Sequence, residues 1–554
     1  MKLKVFIMTI LFCFQCLVAA AANIPLMPVT DLKPGMEGIG KTVISGDTIE
    51  EFNVEIIGVS GTETSGYSIL VRLYGDLIEK TGGVAHGMSG SPVYVDGRLI
   101  GAVAYGKSFN DPHYCFLTPI GSMLKMLDTP QKQPLDWIPK AGALSAGGFT
   151  ELGMECLKEE LKPQGIDVTL GVNNGPESTK NLEPGSSVGA ALMTGDLTLG
   201  ALGTVTWTDD AGHVLAFGHP FLSRGNSNFF MNRVWVLGVI PNMSSSYKVG
   251  NIGSSIGKIE QDRSSGIAGL IGSDPKSIPM VVNVSDTSRG VNNTTKVRII
   301  DDEKLLPSIV NAATVSCANR TADRNGGGTA KLHFKVTGVD HEKNYLELDR
   351  ENMFYATENL EKGMVQELVE SLRILMNNKF ESLNIYGINV DVDIADTAQI
   401  VELVKVSTKN RDVHAGEKIP LTITMKPFRG QEFTRVIEYT IPEKTTKDKL
   451  VLNIHGGSSV SWIVNLLKKQ KDESAPETKK EEKRKSIKDF IEEVNTADKN
   501  NDLIIDITSG VKEVGPAKDD DGLRSMLKGS PYKKVVSYDF IVDGELELVL
   551  NVVK

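Results

Sequence analysis

The nine residues "HGMSGSPVY", His86 to Tyr94, set a serine in a glycine-rich turn and run straight into a strand. Gly87 and Gly90 flank Met88-Ser89, and glycine reaches backbone conformations closed to other residues, so a tight turn is expected. Pro92 opens the strand, where its missing N–H is not needed. Two readings of this turn stand open. It is a plain connection between strands, or it presents Ser89 as a nucleophile and aims the N–H groups of Gly87 and Ser89 at one point, where they would stabilise an oxyanion. In the second reading Ser91 is structural.

The context outward from this turn is β-rich. Residues 30 to 128 alternate short apolar runs with glycine turns: "FNVEIIGV" (52–59), "YSILVRL" (67–73) and "SPVYVDGRLIGAVAYG" (91–106). In the last, Asp96-Gly97 is a hairpin turn signal. Residues 131 to 194 form a connecting region with one short helix, "TELGMECLKEELKP" (150–163), stopped by Pro163. Residues 195 to 290 return to β, and "ALGTVTWTDDAGHVLAFGHPF" (201–221) is a second hairpin signal.

An activated serine needs a base, and the chain has eight histidines. His86 adjoins the turn, where an immediate chain neighbour rarely reaches back to the hydroxyl. His113 and His213 lie in loops, and His333, His341, His414 and His455 lie in later segments. His219 follows an apolar strand and Gly218 and precedes Pro220, which is where a barrel strand delivers a side chain to a cleft. A lone histidine at a strand end is more often structural, so the surrounding motif decides.

Here a resemblance becomes specific. "TGGVAHGMSGSPVYVDGRLIGAVAYGKSFNDP" (81–112) resembles the signature of the SpoIVB-type serine peptidases, serine peptidase family 55. "GALGTVTWTDDAGHVLAFGHPF" (200–221) is similar to that family's histidine segment, and "VGNIGSSIGKIEQDRSSGIAGLIG" (249–272) to the stretch after it. The resemblance implies a chymotrypsin-like double β-barrel, with Ser89 as nucleophile, His219 as base, and the N–H groups of Gly87 and Ser89 as oxyanion hole. Two departures stand out. In the sporulation peptidase the His half precedes the Ser half, and here the order is reversed. The family's acid falls at Tyr74, so the nearest carboxylate, Asp76, is the candidate acid; a two-residue shift keeps one face of a strand. No PDZ pattern, which that peptidase carries, is present.

The rest of the chain reads as follows. Residues 291 to 380 are a mixed α+β segment in which Met364, Val365, Leu368, Leu372 and Leu375 mark an amphipathic helix. Residues 381 to 467 alternate at period two, as in Ile388, Val390, Val392 and Ile394, and predict a β-sandwich. Residues 468 to 486 are a charged linker. Residues 487 to 554 are a small C-terminal tail of helix and strands, the helix capped by Ser486 and a hairpin turning at Asp543-Gly544. "DKNNDLIIDITS" (498–509) starts like a calcium loop but has Leu503 where glycine is required and Ser509 where glutamate is, so it fails that geometry. The expected fold class is therefore mainly β, with the double barrel in halves 23–130 and 195–290.

Composition bounds the function. Of the 554 residues, 23% are charged, and the net charge of −10 with no basic stripe argues against nucleic acid. Lys2 and Lys4, the apolar run Val5 to Val18 and the small residues Ala19 to Ala22 read as a secretory signal peptide over residues 1 to 22, with no membrane span after its removal. Beyond it lie Cys115, Cys156 and Cys317, an odd number at wide spacing that makes no disulfide framework. No Cys/His cluster points to a metal, and no motif to a cofactor. The sequence thus predicts an exported serine endopeptidase acting on envelope or extracellular protein, itself included. The alternative is a catalytically inactive relative that binds peptides or assembles with an envelope protein partner.

Overall fold

The computed structural model describes residues 24–106, 111–128, 143–242, 246–324, 326–443, 448–457, 486–509 and 532–553. The expected signal peptide, residues 1 to 22, lies outside them, as does all of the expected charged linker but Ser486. The chain forms two compact units. The first comprises residues 1–147, 171–192 and 198–275, and the second residues 148–170, 193–197 and 276–554.

In the first unit, six strands close a barrel: β1 (Glu37–Val43), β2 (Ile49–Thr62), β3 (Gly66–Tyr74), β4 (Pro92–Val95), β5 (Arg98–Tyr105) and β6 (Tyr114–Pro119), in the order β1-β2-β3-β6-β5-β4. β1 pairs antiparallel with both β2 and β4, which removes the sheet's free edges. The alternating apolar residues foreseen in the sequence fill it: Val54, Ile56, Ile69, Val71, Leu73, Val93 and Val95 are buried in one cluster. Asp96 and Gly97 both have positive φ, at 50° and 72°, as a two-residue type I′ hairpin requires. A short helix, α1 (Asp76–Thr81), follows β3, and α2 (Ile120–Asp128) follows β6.

A second ring follows in the same unit, apart from the last residues of one strand, 193–195. Its strands are β7 (Leu144–Gly147), β8 (Ser187–Gly195), β9 (Thr198–Thr208), β10 (His213–Ala216), β11 (Gly225–Ile240), β12 (Tyr247–Arg263) and β13 (Gly266–Ile271). The order is β8-β11-β12-β13-β10-β9, and β9 pairs back with β8. The hairpin expected over 201–221 is present: Val205 pairs with Ala216 and Thr208 with Val214. Mainly β, with a closed barrel and a further curled sheet, the fold is consistent with a chymotrypsin-like architecture.

The second unit holds a mixed sheet and a sandwich. In the sheet, Asn384–Ala395 is central, parallel to Ser277–Asp286 and antiparallel to Gly328–Val339. The period-two run 388–394 therefore belongs to this sheet and not to the sandwich, because alternation reports that one face is buried but not against what. The helix Leu306–Ala322 is buried almost throughout, and Glu151–Leu161 meets it closely: a Cβ at Gly153 would lie 1.8 Å from Ser316 Oγ. The amphipathic stretch forms two helices, Leu360–Met364 and Gln366–Met376, with Val365 between them.

The sandwich begins at Ile400 and takes in the tail strands, packed around Leu421, Ile423, Leu452, Ile454, Leu503 and Leu550. The hairpin expected at Asp543-Gly544 is not formed. Ile541–Asp543 runs parallel to Ile400–Glu402 in one sheet, and Glu545–Val552 pairs antiparallel with Lys449–Gly456 in the other. Gly544, at φ 98°, is the corner between the sheets. The helix Ile487–Thr496 starts at Ser486, whose hydroxyl accepts from Asp489 N–H. Asp502–Ser509 is a strand, and no cluster of metal-ligating side chains occurs among the described residues. Cys115, Cys156 and Cys317 are free and buried. No helix among the described residues is long and apolar enough to cross a membrane.

Candidate active site

The Ser89 turn is built largely from its own backbone. Met88 N–H donates to Ala85 O at 2.9 Å and Ser91 N–H to Met88 O at 2.9 Å. Gly87 and Gly90 both have φ of +94°, the region that favours glycine. Met88 is fully buried in the barrel core and anchors the turn from below. Ser91 is fully buried, whereas Ser89 is half-buried. Among the described residues neither Gly87 N–H nor Ser89 N–H has a hydrogen-bond acceptor, while Gly90 N–H donates to Val103 O at 2.7 Å.

Strand β9 grips this turn. Thr204 and Thr206 alternate on one face and donate to Gly87 O at 2.9 Å and to Gly90 O at 2.7 Å. Thr204 N–H donates to Ser89 O at 2.8 Å, and Thr204 O accepts from Phe217 N–H at 3.3 Å. One residue of β9 thus bridges the Ser89 turn and the turn that carries His219. The fit leaves no room: a Cβ at Gly90 would lie 1.9 Å from Thr204 O and 2.5 Å from Phe217 N.

The His219 turn is supported differently. Phe217 has φ of 69° and Gly218 of 66°, so the chain reverses sharply after β10. Thr118 Oγ1 donates to Gly218 O at 2.6 Å. Beyond the ring, Asp262 accepts from three backbone N–H groups: Phe221 at 2.6 Å, Leu222 at 2.8 Å and Arg224 at 3.1 Å. Asp262 is completely buried on β12, and burial raises its pKa against the opposing pull of those N–H groups. Sequence reasoning missed this residue. It lies in "KIEQDR", a polar run that reads as a solvated strand face, and nothing local marks it as the partner of a turn some forty residues earlier.

The His219 ring is half-buried beside Tyr105 and Phe217, with ring centroids 5.9 and 6.0 Å away. Its Nδ1 lies 2.7 Å from Pro220 O. A carbonyl only accepts, so Nδ1 carries the proton and Nε2 is left with a free lone pair. Burial lowers the pKa of His219; the Pro220 bond opposes that shift and nearby His86 adds to it. The ring is accordingly biased toward the neutral form, which can take up a proton. Ser89 Oγ and the His219 ring share no hydrogen bond in this arrangement.

Asp76 is elsewhere. Gly75, at φ 103°, ends β3, and Asp76 opens α1 with its side chain exposed. The argument that a two-residue shift keeps one strand face therefore does not apply, and the partner of His219 Nδ1 is Pro220 O. Tyr74, at the family's acid position, donates from its hydroxyl to Glu37 at 3.2 Å. The other histidines of this unit have local partners: His113 pairs with Asp111 at 2.7 Å and His213 with Asp209 at 2.8 Å. His86 is tied through its backbone to β12 and the residue before it, its N–H donating to Ser246 O at 2.7 Å and its O accepting from Lys248 N–H at 2.8 Å.

The Ser89 turn and the turn that carries His219 thus meet on one residue, Thr204. The family model described as SpoIVB peptidase S55 matches residues 18–124. The segment bearing Ser89 is thus similar to SpoIVB peptidases, and the match ends before the ring that bears His219. No curated protein and no solved structure matches the chain.

Proposed function

We propose that the chain is an exported serine endopeptidase of the SpoIVB type. Ser89 Oγ attacks the peptide carbonyl as its proton passes to His219 Nε2. The developing oxyanion takes hydrogen bonds from Gly87 N–H and Ser89 N–H, the imidazolium gives its proton to the leaving amine, and water then hydrolyses the acyl-enzyme. The observation that carries this reading is the bridge through Thr204, which ties the Ser89 turn and the His219 turn to one residue of β9. Supporting it are the free N–H groups of Gly87 and Ser89 and the Pro220 bond that leaves Nε2 as acceptor.

Among the described residues the His219 ring has no carboxylate partner, and its Nδ1 donates to Pro220 O. The Pro220 carbonyl holds the tautomer, but as a neutral group it stabilises the imidazolium less than an aspartate would. The mechanism is thus a Ser–His dyad, with Asp262 fixing the backbone from which the ring projects. The substrate is protein in the envelope or outside the cell, the chain itself included, reached through export by the N-terminal leader.

A fluorophosphonate probe tests the reading. The wild-type chain should label at Ser89, and labelling should vanish in Ser89→Ala and His219→Ala. A folded wild type that stays unlabelled overturns it in favour of a non-catalytic peptide-binding relative, and label that persists in Ser89→Ala overturns Ser89 as the nucleophile.

A further inference from the structure

Lys248, near the start of β12, is 6% exposed. Among the described residues its Nζ meets no carboxylate: it donates to Thr42 Oγ1 at 2.9 Å and to Thr204 Oγ1 at 3.3 Å. Isolating an ammonium from both water and counter-charge is costly, and burial lowers this group's pKa to about 7. A lysine kept in such a place calls for a role, and its contacts point to one.

Apart from Thr42 on β1, they converge on the Ser89 turn. The Lys248 backbone N–H donates to His86 O at 2.8 Å. Its stem lies 3.0 Å from where a Cβ on Gly87 would be. Because Thr204 Oγ1 accepts from the ammonium, its own proton is committed to Gly87 O, 2.9 Å away. His86 O belongs to the same peptide group as Gly87 N–H, and Gly87 O to the next. One residue therefore holds two successive peptides of the turn, the first directly and the second through a hydroxyl. These peptides flank a glycine at φ +94°, where rotation meets little steric resistance. Pinning both carbonyls keeps the Gly87 N–H from turning away. A bond accepted at a carbonyl also polarises the N–H at the other end of its peptide.

We propose that Lys248 is a positioning residue for the oxyanion-binding turn, its main chain holding His86 O and its ammonium, relayed by Thr204, holding Gly87 O. This rests on the peptidase reading above. Lys248 is not assigned as the base for Ser89, since its Nζ bonds to the two threonines and not to Ser89 Oγ.

The test compares the fluorophosphonate labelling rate and the kcat and KM for a peptide ester, with kcat expressed per titrated site. Lys248→Met keeps the stem and removes the ammonium. It should slow labelling and lower kcat by about tenfold to a hundredfold, with KM nearly unchanged. Thr204→Val should show a loss of similar size and Thr204→Ser should recover most of it, while the Lys248→Met/Thr204→Val double variant should be no worse than the poorer single. Should Lys248→Met fail to fold, the Thr204 pair decides. Labelling and kcat per site at the wild-type level in Lys248→Met, or in Thr204→Val, overturn the role of Lys248 and leave the peptidase reading intact. A wild type that does not label overturns that reading, and this role with it.

Discussion

The two turns that meet on Thr204 are made in opposite ways. The Ser89 turn draws on its neighbours in the chain: Ala85 O, Met88 O and two glycines at φ +94° set its shape within seven residues. The His219 turn takes its shape from distant groups, Thr118 from the first barrel and Asp262 from β12. A turn of the first kind leaves a signature in the sequence, whereas one of the second kind shows only its end product, a Gly-His-Pro.

The hardest test of this pairing removes the chemistry from each side. Ser89→Ala and His219→Ala should each lower kcat by about 10⁴-fold or more, measured as peptide ester hydrolysis. A large loss in only one of them would mean that the two turns do not form one site.

Gly90→Ala strikes the self-made turn where β9 presses on it. The new Cβ would meet Thr204 O at 1.9 Å in a strained φ. A destabilisation of roughly 3 kcal/mol or more is expected, read by denaturant unfolding, with activity lost alongside. Near wild-type stability would show that the contact between the turn and β9 yields easily.

Asp262→Asn strikes the remote support. It keeps the shape but removes the charge that accepts three N–H groups, and an amide nitrogen then faces a donor. About 2 kcal/mol of stability should go, and kcat should fall about tenfold to a hundredfold as the ring shifts. A loss confined to stability would show that His219 keeps its place without Asp262.

The mildest change is in pH. The base acts when neutral, and burial lowers the His219 pKa from the ordinary 6.5. The rate should therefore rise with pH through a midpoint below 6.5, in a profile of kcat/KM against pH. Stability has the same sign: the unfolded chain binds this proton more readily, so stability falls as pH drops below 6.5 toward the lower folded value. A midpoint above 6.5 would instead require a carboxylate close to the ring.

Much of the fold was legible for the reason that separates the two turns. The hairpins at Asp96-Gly97 and over 201–221, the Ser486 cap and the helix after Thr150 are local devices, and each forms. Asp543-Gly544 has the same turn chemistry, but its flanking strands find better partners in opposite sheets. Asp76 misled because a strand was assumed to continue where Gly75 ends it. Asp262 and Lys248 were invisible because their work is done across the sheet: a buried carboxylate and a buried ammonium look like surface charges until the fold closes over them.

Those two residues share β12, a single strand running from Tyr247 to Arg263. Lys248 near one end reaches the serine side and Asp262 near the other reaches the histidine side, so β12 acts as a ruler between them. Its reading is an integer count of residues. Losing or gaining one residue in its middle would send one of the pair to the opposite face of the sheet. Every side chain of the two turns would still be there, but the spacing between Ser89 and His219 would no longer be gauged.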